Sequence, residues 1–408
     1  MAAINPATPD ASPSGFQDLK TYVESTKTIS KGKNKLGPGS LHSSPTLVGT
    51  ASMFSVSSDE TSTIEYPSSS EISEDEAGPE EEEGWDPEAA SISSRVYIYP
   101  LPYPPPPGLE FPYSPNLPHW NPFNLASNPA EPTSTLVLSS PSGWFVDVRF
   151  LKPIPPNGTL VIPPGTPELP QDFDTRRLEW AFAGHASSEP IAGVMYLDQP
   201  VRHSIWTHWI DSRFHAFSPP SQIPPDEGDM YTLPSGDVLE VGSGLHPVTN
   251  HMVAYEELWR DIPILSTRSQ DIVNYISANA SGIPLSSMAP PLPSFNGSPT
   301  GLKHCILLRL QNASPAMQER GLIIRLGQYI QGFYKRGEEN CVERWEYKIH
   351  VNTVSGDRVE GEWEKVAWCG GLLIPCSTLF EGERVKEGMR VSHAETVWVV
   401  EESFWWED

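Results

Sequence analysis

His203, His208 and His215 crowd around Asp211 and Ser212. Imidazole beside carboxylate and hydroxyl is the raw material of a metal centre or of a Ser–His–Asp hydrolase. The spacing argues against both. In a strand, His203 and His208 lie five residues apart and face opposite sides, so they do not share one ion. Ser212 sits in Asp211-Ser212-Arg213, without the GxSxG turn that exposes a nucleophilic serine. No GxxxxGK[ST] or GxGxxG loop is present to cradle a phosphate. Glu179 alternates with Trp180 and reads as a solvent-facing or arginine-paired carboxylate rather than a ligand-binding one. The cysteines at 305, 341, 369 and 376 form no CxxC pair, which argues against zinc and against a disulfide framework. Cys369 and Cys376 could meet across a hairpin, with buried inert thiols as the default. The expectation is no enzyme, no catalytic residue, no cofactor and no metal.

Two other residue sets have a use. Trp180, Phe182, Trp206, Trp209, Trp345, Tyr347 and Trp398, with Trp259, Trp363 and Trp368, are placed to line small β-barrels. There they either fill the core or wall a calyx for one apolar molecule. In the N-terminal part, Ser57, Ser62 and Ser73 each have an acidic residue three positions on, at Glu60, Glu65 and Glu76. Ser70, once phosphorylated, would place a charge three residues before Ser73. Kinase grooves lined by Lys and Arg favour such acid-flanked hydroxyls, and each phosphate adds about −1.5 to −2 charge. Ser57, Ser62, Ser70 and Ser73 are therefore candidate phosphorylation sites, against the alternative of an acidic tail with incidental serines.

The elements that must position these residues follow from composition. The chain has 408 residues, with 27 Lys+Arg against 52 Asp+Glu, a formal charge of −25. That surplus repels phosphate backbones and anionic lipid heads, so nucleic acid is disfavoured, and no apolar run is long enough for a membrane span. The 44 prolines are about twice the usual share, which requires part of the chain to be irregular. Residues 1–94 are an acidic Ser/Glu-rich tail too poor in large apolar residues to order itself, and 13 of its acids lie between Asp59 and Glu88. Residues 95–132 hold 12 prolines among aromatics and read as a polyproline spacer or lid, or as a ligand for an aromatic groove. The N-terminus lacks a basic start and an apolar core, so an intracellular protein is expected.

Beyond these, period-two patterning takes over. Trp144, Val146, Val148 and Phe150 share one face of a strand while Phe145, Asp147 and Arg149 point the other way. Further strands are expected at Leu178 to Ala183, Ile191 to Asp198, His203 to Ile210 and Asp237 to Gly242, while Tyr255 to Trp259 is a strand end or a single helical turn. This defines a first β-domain over 133–262. Residues 263–300 are a Pro/Ser-rich linker or insertion, and 301–408 a second β-rich domain. In that domain Gly321 to Tyr334 reads as one long strand bent at its glycines, because Gly327 and Gly332 would each cost a helix about 1 kcal/mol. Many short strands with regular turns suggest all-β barrels or sandwiches, closure being the economical answer to exposed edges.

Several pieces then cease to be anonymous. Glu179-Trp180-Ala181-Phe182-Ala183-Gly184, Trp206 to Ser212, Glu257-Leu258-Trp259, Leu326 to Phe333 and Val397 to Glu401, with Gly143 to Pro153, stand in an order that resembles the fungal Hri family, known by a yeast protein that interacts with a casein kinase I. The likeness runs from about 134 to 406. It implies two lipocalin-like antiparallel β-barrels in tandem, a cytoplasmic and nuclear distribution and no established enzymatic activity. It also implies a protein partner, with casein kinase I as the candidate. A carrier of a small apolar ligand inside one barrel is the alternative. The tail, the proline segment and the wide interdomain stretch depart from the shorter family members, and nothing of the family transfers to them.

Overall fold

The computed structural model describes residues 63–65, 89–101, 108, 110–116, 128–153, 167–216, 218–246, 251–267, 302–311, 318–351 and 359–407. Sixteen strands form in it, and no α-helix does among the described residues. In chain order they are β1 (Thr63–Glu65), β2 (Ser91–Pro100), β3 (Thr133–Ser139), β4 (Trp144–Leu151), β5 (Leu178–Tyr196), β6 (Gln199–Asp211), β7 (Asp226–Thr232) and β8 (Val238–Leu245). There follow β9 (Met252–Ile262), β10 (Lys303–Leu310), β11 (Glu319–Leu326), β12 (Tyr329–Arg336), β13 (Glu339–Val351), β14 (Val359–Cys369), β15 (Arg390–His393) and β16 (Thr396–Trp406).

The first unit is a closed barrel of β2 to β9 in consecutive antiparallel order, with β2 pairing both β3 and β9. Its first strand starts at Ser91, inside the stretch that composition alone assigns to tail and proline spacer. The run Ser91-Ile-Ser-Ser-Arg-Val-Tyr-Ile-Tyr-Pro100 contains no internal proline, and it supplies the pairing that closes the cylinder against β9. A described part of the proline segment packs on β9 and β7. Tyr113 and Ser114 donate backbone N–H to the buried Glu256 carboxylate at 2.8 and 3.3 Å, and Phe111 stacks on Tyr231 at 4.2 Å.

The second unit is an eight-stranded antiparallel sheet in the order β1-β15-β16-β10-β11-β12-β13-β14. It is the half-barrel of the pair, and a fully closed second sheet is not what forms among the described residues. Its ends are covered rather than joined. Gln171 of the first unit bridges in parallel to Trp368 of β14, whose N–H donates to Pro170 O at 2.8 Å. At the other end β1 pairs with β15.

Gly321 to Tyr334 is a hairpin rather than one bent strand. Leu326 pairs with Tyr329 across the two-residue turn Gly327-Gln328, and Gly327 takes φ +53°, a left-handed value that glycine adopts without the usual Cβ clash. Gly332 has a different reason to be glycine, since a Cβ there would lie 2.9 Å from Cys376 Sγ. Tyr255 to Trp259 lies within β9, with no helical turn.

The two units are packed face to face. Val146, Val148 and Phe150 of β4 leave the barrel outward and join Leu307, Leu322, Ile324 and Phe333 in one buried cluster. Polar groups pin this seam. Gln331 Nε2 donates to Leu136 O and Val146 O, both at 2.9 Å, and Arg344 donates to Val148 O at 2.8 Å and Ser134 Oγ at 3.0 Å. On its other face the second sheet wraps residues 374–389. Ile374, Cys376, Leu379, Val385 and Met389 pack there against Ile306, Leu308, Ile323, Ile330 and Trp398.

Candidate functional site

The inside of the closed barrel holds a cluster of buried ionisable groups. Alternation puts Asp147 and Arg149 of β4 inward because their neighbours Val146, Val148 and Phe150 are taken by the seam. Arg95 of β2 reaches Glu257 Oε1 of β9 at 2.6 Å and Glu131 Oε2 at 2.7 Å. Arg149 meets Asp147 Oδ2 at 2.8 Å and stands 3.7 Å from the same Glu257 oxygen. Its guanidinium also lies 4.9 Å from the Trp180 ring centroid and 5.3 Å from that of Phe182.

Glu240 of β8 completes the network. It accepts from Trp259 Nε1 at 2.9 Å and from Tyr255 Oη at 3.2 Å, both on the inward face of β9 that also bears Glu257. Two glycines make room for this group. A Cβ on Gly228 would fall 2.7 Å from Glu240 Cγ, and one on Gly242 would fall 2.5 Å from Tyr255 Oη.

Burial and like charge shape the titration. Burial first, then the charges of Glu257 and Asp226, push the Glu240 carboxyl well above the usual range. Burial likewise raises Asp147 and Glu257, with the two arginines working in the opposite direction. Burial also opposes the charge on Arg95 and Arg149, but the facing carboxylates outweigh it and leave both guanidiniums more firmly protonated than usual. The interior is therefore a paired polar network in which Arg95 and Arg149 face Asp147, Glu131 and Glu257.

Beside it sits a His–Asp pair. His208 Nδ1 is 2.9 Å from Asp211 Oδ2, both side chains are buried, and Asp211 also accepts from Trp180 Nε1 at 3.1 Å. A bulge positions them, with Gly184 pairing His208 and Ala183 pairing Ile210, so that Trp209 is the extra residue. Among the described residues His208 Nε2 and Asp147 Oδ1 find no hydrogen-bond partner, and leaving such buried atoms unpaired costs about 1–3 kcal/mol each. Ser212 does not complete a triad, because its hydroxyl accepts from the Ala181 N–H at 3.0 Å. His203 pairs with Asp229 and His215 approaches Glu338, so the three histidines do not converge. Among the described residues no three His, Cys, Asp or Glu side chains are grouped as metal ligands would be.

The aromatic residues singled out in the sequence separate into three places. Trp180 and Phe182 stand 4.2 Å apart beside Arg149, and Phe182 lies 4.4 Å from His208. Trp206 is half-buried on the His208 side of β6 by alternation. Trp209 does not line the barrel. Set on the opposite face from Trp206 by alternation, it meets Trp144 edge-on at 6.2 Å at the seam, with Arg309 and Arg320 about it. Trp345, Tyr347 and Trp398 belong to the second sheet. Trp345 packs on Phe380, Tyr347 on Trp363, and Trp398 is fully buried against Tyr334 with its Nε1 donating to Thr396 Oγ1.

Glu179 is arginine-paired, at 2.6 Å from Arg213 Nη2, and Arg213 stacks 3.8 Å over Trp180. All four cysteines are free and buried, and burial raises their thiol pKa values, to about 12 for Cys369. The candidate phosphorylation sites Ser57, Ser62, Ser70 and Ser73 lie outside the described residues. Sequence reasoning missed the roles of Arg95, Asp147, Arg149, Glu240 and Glu257. The signal was present in Phe145-Val-Asp-Val-Arg-Phe150, where charges alternate with apolar residues in a strand that has two buried faces.

No curated protein shows significant sequence similarity to the chain. A crystal structure of an uncharacterized protein from Saccharomyces cerevisiae is similar at 17% identity and a TM-score of 0.45, over 78% of this chain and 99% of that one. The family model described as Protein HRI1 matches residues 117–402, well over half of the 408. The chain belongs to the Protein HRI1 family.

Proposed function

We propose that the protein is a non-enzymatic interaction protein of the cytoplasm and nucleus that works through its outer surface and its tail, with casein kinase I as its partner. The observation that supports this reading best is the content of the barrel. Arg95, Asp147, Arg149, Glu240 and Glu257 occupy the place where a carrier would keep an apolar guest. Carriage of a small apolar ligand is the weaker reading, because such a guest would have to lie against paired charges or break them, at a desolvation cost. The concave face of the second sheet is likewise taken by the chain's own Ile374, Leu379 and Met389.

The kinase part of the reading rests on Ser57, Ser62 and Ser73, each followed at the third position by an acid, and on Ser70 as a second-round site. The test is intact-protein mass after incubating the full chain with casein kinase I and ATP. The expected result is phosphate addition that falls sharply in the Ser57→Ala, Ser62→Ala, Ser70→Ala, Ser73→Ala variant. An unchanged mass with a kinase that phosphorylates a control protein contradicts it.

A further inference from the structure

The two edges of the second sheet are covered in unequal ways. The β14 edge is covered by residues 170–173, which lead within a few residues into β5 of the barrel, with Pro170 O accepting from Trp368 N–H and Phe173 against the Trp368 ring at 5.0 Å. The β15 edge is covered by three residues from far up the chain, Thr63–Glu65, joined to β2 only through residues 66–90. A strand edge left open is a template for another strand, so what sits there is held by main-chain pairing and by matching side-chain positions. The register gives those positions. Thr63 is opposite Ser392, Ile64 opposite Val391 and Glu65 opposite Arg390. Val391 is buried in the apolar core of the unit, whereas Arg390 is exposed, so position 64 selects an aliphatic residue and position 65 an acid.

We infer that the β15 edge is a strand-docking site for an extended segment of a protein partner that presents an aliphatic residue followed by an acidic one, and that residues 63–65 are a self-ligand occupying it. A three-residue ladder belonging to the same chain occupies the edge intramolecularly, so a partner segment must outcompete it. A partner segment that also pairs with His393, the last residue of β15, displaces it. The inference goes beyond the kinase reading and does not depend on it.

The test uses the full chain and a fluorescein-labelled peptide of residues 58–68, read by fluorescence anisotropy. Ile64→Asp should free the edge without changing the melting temperature, and the peptide should bind this variant about tenfold or more tighter than the wild type. Arg390→Glu in the same background should weaken that binding several-fold. Absence of binding to the Ile64→Asp chain would overturn the docking site. Equal binding to wild type and variant would overturn the self-ligand, and indifference to Arg390→Glu would overturn the acidic preference. No kinase is present, so none of these results bears on phosphorylation.

Discussion

The two units have eight strands each and opposite interiors. The closed barrel keeps its ion pairs inside and turns Val146, Val148 and Phe150 outward, whereas the open sheet fills its concave face with Ile306, Leu308, Ile323, Ile330 and Trp398. The difference teaches that closure and an apolar inside are separate properties. A small barrel buries charge when each charge finds a partner, here Arg95 and Arg149 between Asp147, Glu131 and Glu257. Its outward apolar stripe then becomes adhesive surface for the second sheet. Seam and barrel interior share strand β4, one on each of its faces.

Substitutions can break this contrast. Trp398→Ala removes the largest apolar side chain of the second core and should cost about 3–5 kcal/mol in urea unfolding. Arg149→Met should cost a similar ~3–5 kcal/mol, for the different reason that it strands the buried Asp147. The two cases separate on repair. Asp147→Leu added to Arg149→Met should recover about 1 kcal/mol or more, because Glu257 keeps Arg95 at 2.6 Å. An absence of recovery would mean that the network is not a compensated pair.

A smaller effect lies in pH dependence. Glu240 keeps its proton to a higher pH in the folded barrel than in the unfolded chain, so its contribution is complete below the unfolded value near 4.5 and is lost as pH rises toward the folded one. His246, whose pKa burial lowers, acts oppositely below its ordinary 6.5, while Asp147, Glu257 and Glu402, also raised by burial, add in the same direction as Glu240. The clean readout is a difference. Between about pH 5.5 and pH 8 the melting temperature of Glu240→Gln should fall less than that of the wild type. Next in size, Gln331→Leu removes the side-chain donor to Leu136 O and Val146 O and should cost about 1–2 kcal/mol. Smallest of all, Arg176→Ala removes an exposed ion pair with Asp174 and should stay within about 0.5 kcal/mol.

Much of the architecture was legible in residue patterns. Alternation in β4, β5, β6 and β13 predicts antiparallel all-β units, and the tryptophan-centred pieces predict the family. What alternation does not say is which face is inside, since β4 has two buried faces and only the partner sheet decides between them. Trp206 and Trp209, three residues apart in β6, face opposite sides by alternation, and the bulge at Trp209 leaves it unpaired at the seam. Gly321 to Tyr334 folded as a hairpin because a single left-handed glycine, Gly327, outweighs fourteen residues of continuous strand propensity. Strand β2 was hidden by the prolines around it.

A protein that acts through its surfaces holds no stored apolar molecule in its barrel. Native mass spectrometry of the full chain purified from its own cells tests it most directly. The account predicts the mass of the polypeptide with whatever phosphates it bears and nothing released on gentle activation. A stoichiometric apolar molecule leaving the intact chain would contradict it.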